Sequence, residues 1–260
     1  MNLTKIIAIC NQKGGVGKTT TSINTAASLA ALEKKVLLID LDPQSNTSQG
    51  LGFAYKLDND IYTALSWTDE TIPPESIKLI INKTELKFLD IIPCSQDLAG
   101  LEVELSDREE KEKRLSKILI LIKDEYDFII LDSPPSLNLL TINVLTASDS
   151  VLIPIQCEFY ALAGLAELIK IIRLVQKNFN HKLIIEGALL TMYDSRLNLA
   201  KQVAEDVKAN FSGKVFNTII PRNVKLSEAP SFGKPAILYD ITSAGAISYL
   251  KFAKEIANNE

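Results

Sequence analysis

The sequence predicts an α/β fold, a doubly wound, mostly parallel sheet with helices on both faces. Three observations carry this. Short uninterrupted apolar runs, such as Val36-Leu37-Leu38-Ile39 and Phe128-Ile129-Ile130-Leu131, have the composition of strands covered on both sides. Between such runs lie stretches with apolar residues at helical spacing, for example Ile23, Ala26, Ala27 and Ala30. Two runs close on an acid, and the carboxyl edge of such strands is where open α/β sheets bind ligands. The alternation shows no repeat and no linker, so residues 1–260 are expected to form a single domain.

The first unit carries the strongest chemical signal. A strand over Lys5 to Cys10 delivers Lys13-Gly14-Gly15-Val16-Gly17-Lys18-Thr19-Thr20, and a helix begins near Thr19. Glycines let the backbone curl so that successive N–H groups face an anion, and the helix adds its positive end. This is a phosphate cradle of the P-loop type, with one departure: Gly14 stands two positions too close to Gly17-Lys18, and Lys13 fills the gap. Lys18 is expected to reach the β- and γ-phosphates of ATP, and Thr19 to ligate Mg²⁺. Lys13, at the start of the loop, is poorly placed for phosphates held by its own loop and is free to reach nucleotide on another subunit.

Val36 to Ile39 is the second strand, and Asp40 and Asp42 follow it at alternating, same-facing positions, with Pro43 stiffening the exit. Ile61 to Leu65 and Glu75 to Ile81 read as short helices, and Trp67 as partly buried packing. Phe88 to Ile92 is strand-like. Asp107 to Arg114 is eight consecutive charges of mixed sign, expected on the solvated face of a long helix continuing through Ile122. Tyr126 to Asp132 is an apolar strand closing on an acid, the Walker B arrangement in which a carboxylate holds Mg²⁺ directly or through water. Ser133-Pro134-Pro135 makes a rigid turn into a helix over Asn138 to Thr146. Further strands are expected at Ser150 to Ile155, where Pro154 suggests an edge or strand end, at Leu183 to Met192 and at Val215 to Ile220. Helices are expected at Ala161 to Val175, Leu197 to Asn210 and Thr242 to Ala257.

Bulk properties exclude several classes. Apolar residues make up 47% and charged residues 23%, which is ordinary for a globular chain. Cys10, Cys94 and Cys157 show no Cys-x-x-Cys spacing, so neither a disulfide framework nor a zinc site is indicated, and a reduced, cytoplasmic setting is expected. No leader and no 18-residue apolar span is present. His181 is the sole histidine, in a basic turn, which disfavours histidine acid–base chemistry. The net charge of −4 is uneven: residues 1–169 hold 15 basic against 24 acidic residues, giving −9, and residues 170–260 hold 13 against 8, giving +5. A basic final third is compatible with a surface for phosphate backbones.

With Lys13 in its loop, the chain resembles the deviant Walker A ATPases. Asp42-Pro43-Gln44 and the segment Pro221 to Pro230 narrow the resemblance to partitioning ATPases of the ParA/Soj type, over nearly the whole chain. The resemblance implies that Lys13 contacts the partner's nucleotide in an ATP-bound homodimer, that Asp42 positions the attacking water, and that Gln44 to Thr47 is a switch. It further implies Asp40 as a supporting group near Lys18 and the metal, and Pro221, Arg222 and Asn223 as the adenine border. Arg196 and Lys225 map onto a sequence-nonspecific surface for double-stranded DNA, close to the nucleoid. A ParB-like centromere-binding protein would stimulate slow hydrolysis. Strand 1 begins almost at Met1, so no N-terminal helix-turn-helix domain is expected. An iron-protein-like reductase would need cluster cysteines, which Ser133-Pro134-Pro135 does not offer. A MinD-like membrane-associated positioning ATPase would end in a basic amphipathic helix, and Leu250 to Glu260 has two acids and little bulk. A nucleotide-gated scaffold with incidental hydrolysis keeps the same fold.

Overall fold

The computed structural model describes residues 4–53, 60–67, 73–158 and 161–258; Met1 to Leu3 and the last two residues, the ends of the expected domain, lie outside them. Among the described residues, seven strands form one sheet in the order β3-β4-β2-β5-β1-β6-β7. These are β1 (Lys5–Ile9), β2 (Val36–Asp40), β3 (Asn82–Lys83), β4 (Leu89–Ile92), β5 (Phe128–Asp132), β6 (Ser150–Gln156) and β7 (Ile184–Thr191). All neighbours pair in parallel except β3 with β4. The expected doubly wound, mostly parallel sheet is therefore present.

Alternation along each strand divides the core into two halves. Ile7, Ile9 and Leu38 face one half together with Ile23, Ala26, Ala27 and Ala30 of helix α1 (Lys18–Ala31). Ile6, Ala8, Leu37 and Ile39 face the other, against helices on the opposite side. The alanines let α1 lie close to the sheet, and the C-terminal helix packs on α1. Thr21 Oγ1 and Tyr249 Oη, 3.0 Å apart, tie the two helices at a buried point.

Several expectations are corrected. The charged run 107–114 does not lie in a long helix: Glu110 adopts φ +52, a left-handed conformation that interrupts helical dihedrals, and only Arg114–Leu119 is regular. The Glu110 carboxylate instead collects Lys113 at 2.9 Å and Lys117 at 2.7 Å, on the solvated surface as expected. The helix begun at Pro74 stops at Lys78, and Asn82–Lys83 adds an antiparallel strand that its two-residue length concealed. Val215 to Ile220 is not a strand. It follows β7 through bridges Ala188↔Val215 and Tyr193↔Pro221, but the N–H groups of Asn217 and Thr218 donate to the Glu255 carboxylate at 2.9 and 3.0 Å, which interrupts the ladder. Pro154 lies in an interior strand, at its end as far as β1 is concerned. Pairing with β1 stops at Leu152, so no ladder bond is lost there.

Gly187 tests the fit of this irregular eighth segment. Its φ is +153, and a Cβ there would sit 2.7 Å from Phe216 Cε2 and 2.8 Å from the Lys214 carbonyl oxygen. Gly187→Ala is expected to cost about 1–3 kcal/mol as overpacking. At about 2–4 °C per kcal/mol for a chain of this size, thermal unfolding should begin several degrees lower. An unchanged midpoint by circular dichroism would mean that the segment is not packed against β7 as described.

Candidate functional site

The carboxyl ends of β1, β2 and β5 converge under the Gly-rich loop. Gly15 and Gly17 take φ +74 and +89, conformations that glycine adopts without strain. Asn11 holds the start of the loop: its Nδ2 donates to the Pro154 carbonyl at 2.7 Å and its Oδ1 accepts from the Lys13 N–H at 2.9 Å. Thr191 Oγ1 donates to the Val16 carbonyl at 2.8 Å and fixes the middle of the loop to β7. No side chain caps α1, so the first-turn N–H groups of a 14-residue helix are left for a ligand. A Cβ built on Gly14 or Gly15 would meet no atom within 4 Å, so the space above the loop is open. An uncapped helix start beneath an open glycine loop fits an anion of phosphate size.

Lys18 is 7% exposed, and its Nζ lies 3.3 Å from the Lys13 carbonyl oxygen, inside the loop. Burial lowers its pKa, and the charges of Asp132 and Asp42 oppose that shift. Asp40 and Asp132 are register partners on β2 and β5 and are both fully buried. Asp132 accepts from Thr47 Oγ1 at 2.6 Å, Ser22 Oγ at 2.7 Å and Thr19 Oγ1 at 3.0 Å; burial pushes its pKa up and these hydrogen bonds pull it back. Burial, and then the charge of Asp132, pushes the Asp40 carboxyl up to about 7. Asp40 is turned toward the segment after Asp42 rather than the lysine: it accepts from Ser48 N–H and Oγ at 2.8 and 2.7 Å and from the Asp42 N–H at 3.2 Å. Asp42 lies 7% exposed at the mouth of this cluster, with the Gln44 N–H on its Oδ1 at 3.0 Å.

Thr19 Oγ1, Thr47 Oγ1 and the Asp132 carboxylate form a set of hard oxygen donors that fits Mg²⁺, which takes one or two carboxylates and fills its remaining positions with phosphate and water. Ser22 and Ser48 were missed by sequence reasoning. Ser22 was findable, since it stands three residues after Thr19 and so on the same helical face.

Beside the loop, a cavity of about 540 Å³ is lined by Gly17, Thr20, Pro221, Arg222 and Asn223, among others, so the three residues expected to border a base do line one space with the loop. Asn223 also caps the helix Val224–Glu228, with its Oδ1 accepting from the Lys225 N–H at 3.1 Å. The Lys13 amine is paired with an acid from another segment. Lys13 Nζ lies 3.6 Å from Glu158 Oε2, and Arg222 Nη2 lies 3.8 Å from Glu158 Oε1. Arg196 and Lys225 lie beyond the carboxyl edge near β7, each paired with an acid of its own segment: Arg196 to Asp194 at 2.6 Å, Lys225 to Glu228 at 2.9 Å.

The family model described as an AAA domain matches residues 4–185. The sporulation initiation inhibitor protein Soj of Bacillus subtilis is 55% identical, over 98% of this chain and 99% of that one. The chromosome partitioning protein ParA of Myxococcus xanthus is 52% identical, over 98% and 89%. Among solved structures, cobyrinic acid a,c-diamide synthase of Mycobacterium smegmatis with bound ADP and magnesium superposes with a TM-score of 0.85 at 34% identity, covering 99% of this chain and 95% of that one. The protein is an ATPase that works with ATP and Mg²⁺, and its role is in chromosome segregation. With its cradle, its paired acids and full-length identities above 50%, the chain belongs to the Soj/ParA family of chromosome-partitioning ATPases.

Proposed function

We propose that this ATPase is a single-domain, cytoplasmic dimerising switch: with ATP it pairs and binds duplex DNA without sequence preference, and hydrolysis, stimulated by a ParB-like partner, releases it. The observation that carries this reading is the exposure of Lys13. Its side chain is 34% exposed and its amine pairs with Glu158, while Lys18 is buried within the loop. A cation so placed serves phosphates on a second copy better than its own.

In this reading Lys18 and the N–H groups of residues 14–20 neutralise and orient the β- and γ-phosphates of the substrate ATP, and Lys13 of the partner copy adds charge from the far side. Mg²⁺ bound through Thr19 and Asp132 would supply further charge neutralisation at the same phosphates. Asp42, at the mouth of the acid cluster, would hold the attacking water in line. Asp40 keeps Asp42 and the switch helix Asn46–Gly50 in place by accepting from the N–H groups of Asp42 and Ser48. Pro221, Arg222 and Asn223 would border the base, and Arg196 and Lys225 would meet DNA phosphates after leaving their acidic partners.

A membrane-positioning role is the runner-up, and the C-terminal helix Ala244–Ala257 speaks against it. Its Tyr249, Phe252 and Ile256 are buried in the core, so its large apolar face is already used. Among the described residues no helix is long and apolar enough to cross a membrane.

Three outcomes follow. Asp42→Ala should lower hydrolysis by roughly 10²–10³-fold while leaving an ATP-bound dimer parked on DNA; cycling at the native rate would leave hydrolysis incidental. Arg196→Glu with Lys225→Glu should remove ATP-dependent duplex binding with nucleotide affinity unchanged. Their separate neutralisation should flatten the slope of log affinity against log salt by about one each, uniformly across DNA sequences. Asp132→Asn should raise the Mg²⁺ needed for half-maximal turnover about 10–100-fold. The same variant should leave the nucleotide-free melting temperature unchanged or higher, because a carboxylate buried beside Asp40 is gone.

A further inference from the structure

We infer that Glu158 is a positioning residue that holds Lys13 out of action in the monomer, a carboxylate latch that must open before the lysine reaches a partner's nucleotide. The inference rests on the reading of Lys13 as the residue that acts across the dimer.

Glu158 lies just beyond β6, beside both walls of the site. Its Oε2 lies 3.6 Å from Lys13 Nζ, the phosphate-loop wall, and its Oε1 lies 3.8 Å from Arg222 Nη2, the base wall. The carboxylate is aimed by its own segment: Gln156 Nε2 donates to Oε1 at 2.6 Å, and the Glu158 N–H donates to the Gln156 carbonyl at 2.8 Å. One acid thus receives two cations from different elements, and both are residues that nucleotide occupancy would engage. The side chains are 34% exposed at Lys13, 49% at Glu158 and 63% at Arg222. Ion pairs this open and this long are weak and exchange readily, which a latch requires and a structural bridge does not.

The consequence is a toll on association. Each protomer must release one Lys13, so a dimer opens two latches. A base in the cavity that engages Arg222 leaves Lys13 as the cation on Glu158, so the latch opens through the partner's phosphates, which compete with Glu158 for the lysine, and not through the base on the same chain.

The test uses the full chain, with a hydrolysis-blocking Asp42→Ala background so that dimers persist, and reads the ATP-dependent dimer dissociation constant by analytical ultracentrifugation. Glu158→Gln should tighten it by roughly 4- to 25-fold, two released surface ion pairs each worth about 2- to 5-fold. Glu158→Asp, which keeps the charge on a shorter arm, should fall between. In a Lys13→Gln background the gain from Glu158→Gln should vanish. Unchanged or weaker dimerisation in Glu158→Gln overturns the latch and would place Glu158 in the interface itself. A different failure, Lys13→Gln dimerising with ATP as tightly as its parent, would remove the cross-dimer reading of Lys13 and leave the latch nothing to regulate.

Discussion

The constraint on which the structure depends is charge crowding beneath the Gly-rich loop. Asp40 and Asp132 stand side by side on adjacent strands, fully buried, with Asp42 at their mouth, and Lys18 is the nearby cation. A site for an anionic substrate is thus floored by carboxylates, which alone would repel it. The surrounding residues resolve this by hydrogen bonding rather than by salt bridges. Hydroxyls of Thr19, Ser22 and Thr47 cover Asp132, and N–H groups of Asp42 and Ser48 cover Asp40. These neutral donors oppose the burial that pushes both carboxyls up, and favour the charged form that a cation arriving with the substrate would bind.

That arrangement also fixes the segment after Asp42. Thr47 and Ser48 open the short helix Asn46–Gly50, and one binds Asp132 while the other binds Asp40. The loop after Asp42 is therefore fastened to the two acids that a metal-bound substrate would perturb. On the other side of the helix, a Cβ on Gly50 would lie 2.7 Å from Ile23 Cδ1 and 3.6 Å from Pro230 Cβ. Nothing larger than glycine fits there without displacing a neighbour. The short helix is thus packed against Ile23 and Pro230 with little slack.

Much of this was legible in the sequence, for identifiable reasons. Buried parallel strands are continuous apolar runs, and acids at their ends mark the ligand edge, so β1, β2, β5 and the loop could be read directly. The misses share one cause: the deciding partner was distant or the residue ambiguous. The run over 215–220 looked like a strand, and only Glu255, far along the chain, breaks its ladder. The left-handed turn at Glu110 has no glycine or asparagine to announce it. Ser22 and Ser48 are hydroxyls, which serve caps, turns and solvent as readily as a buried carboxylate. Asp194, two residues before Arg196, and Glu228, three after Lys225, pair with these cations, and neither pairing was read from the sequence.

Burial separates the two kinds of charged contact in this molecule. Asp132 with Ser22 and Thr47 is closed to water, so each bond there is strong and its loss leaves an unpaired buried group. Lys13, Glu158 and Arg222 meet in water at longer range, where partners exchange with little penalty. The buried set fixes what must be identical in every state, the position of the acids under the phosphates. The exposed set involves groups that can change partners with little penalty. The same loop contributes to both: Lys18, buried at the permanent site, and Lys13, five residues earlier, in the exchangeable ion pair.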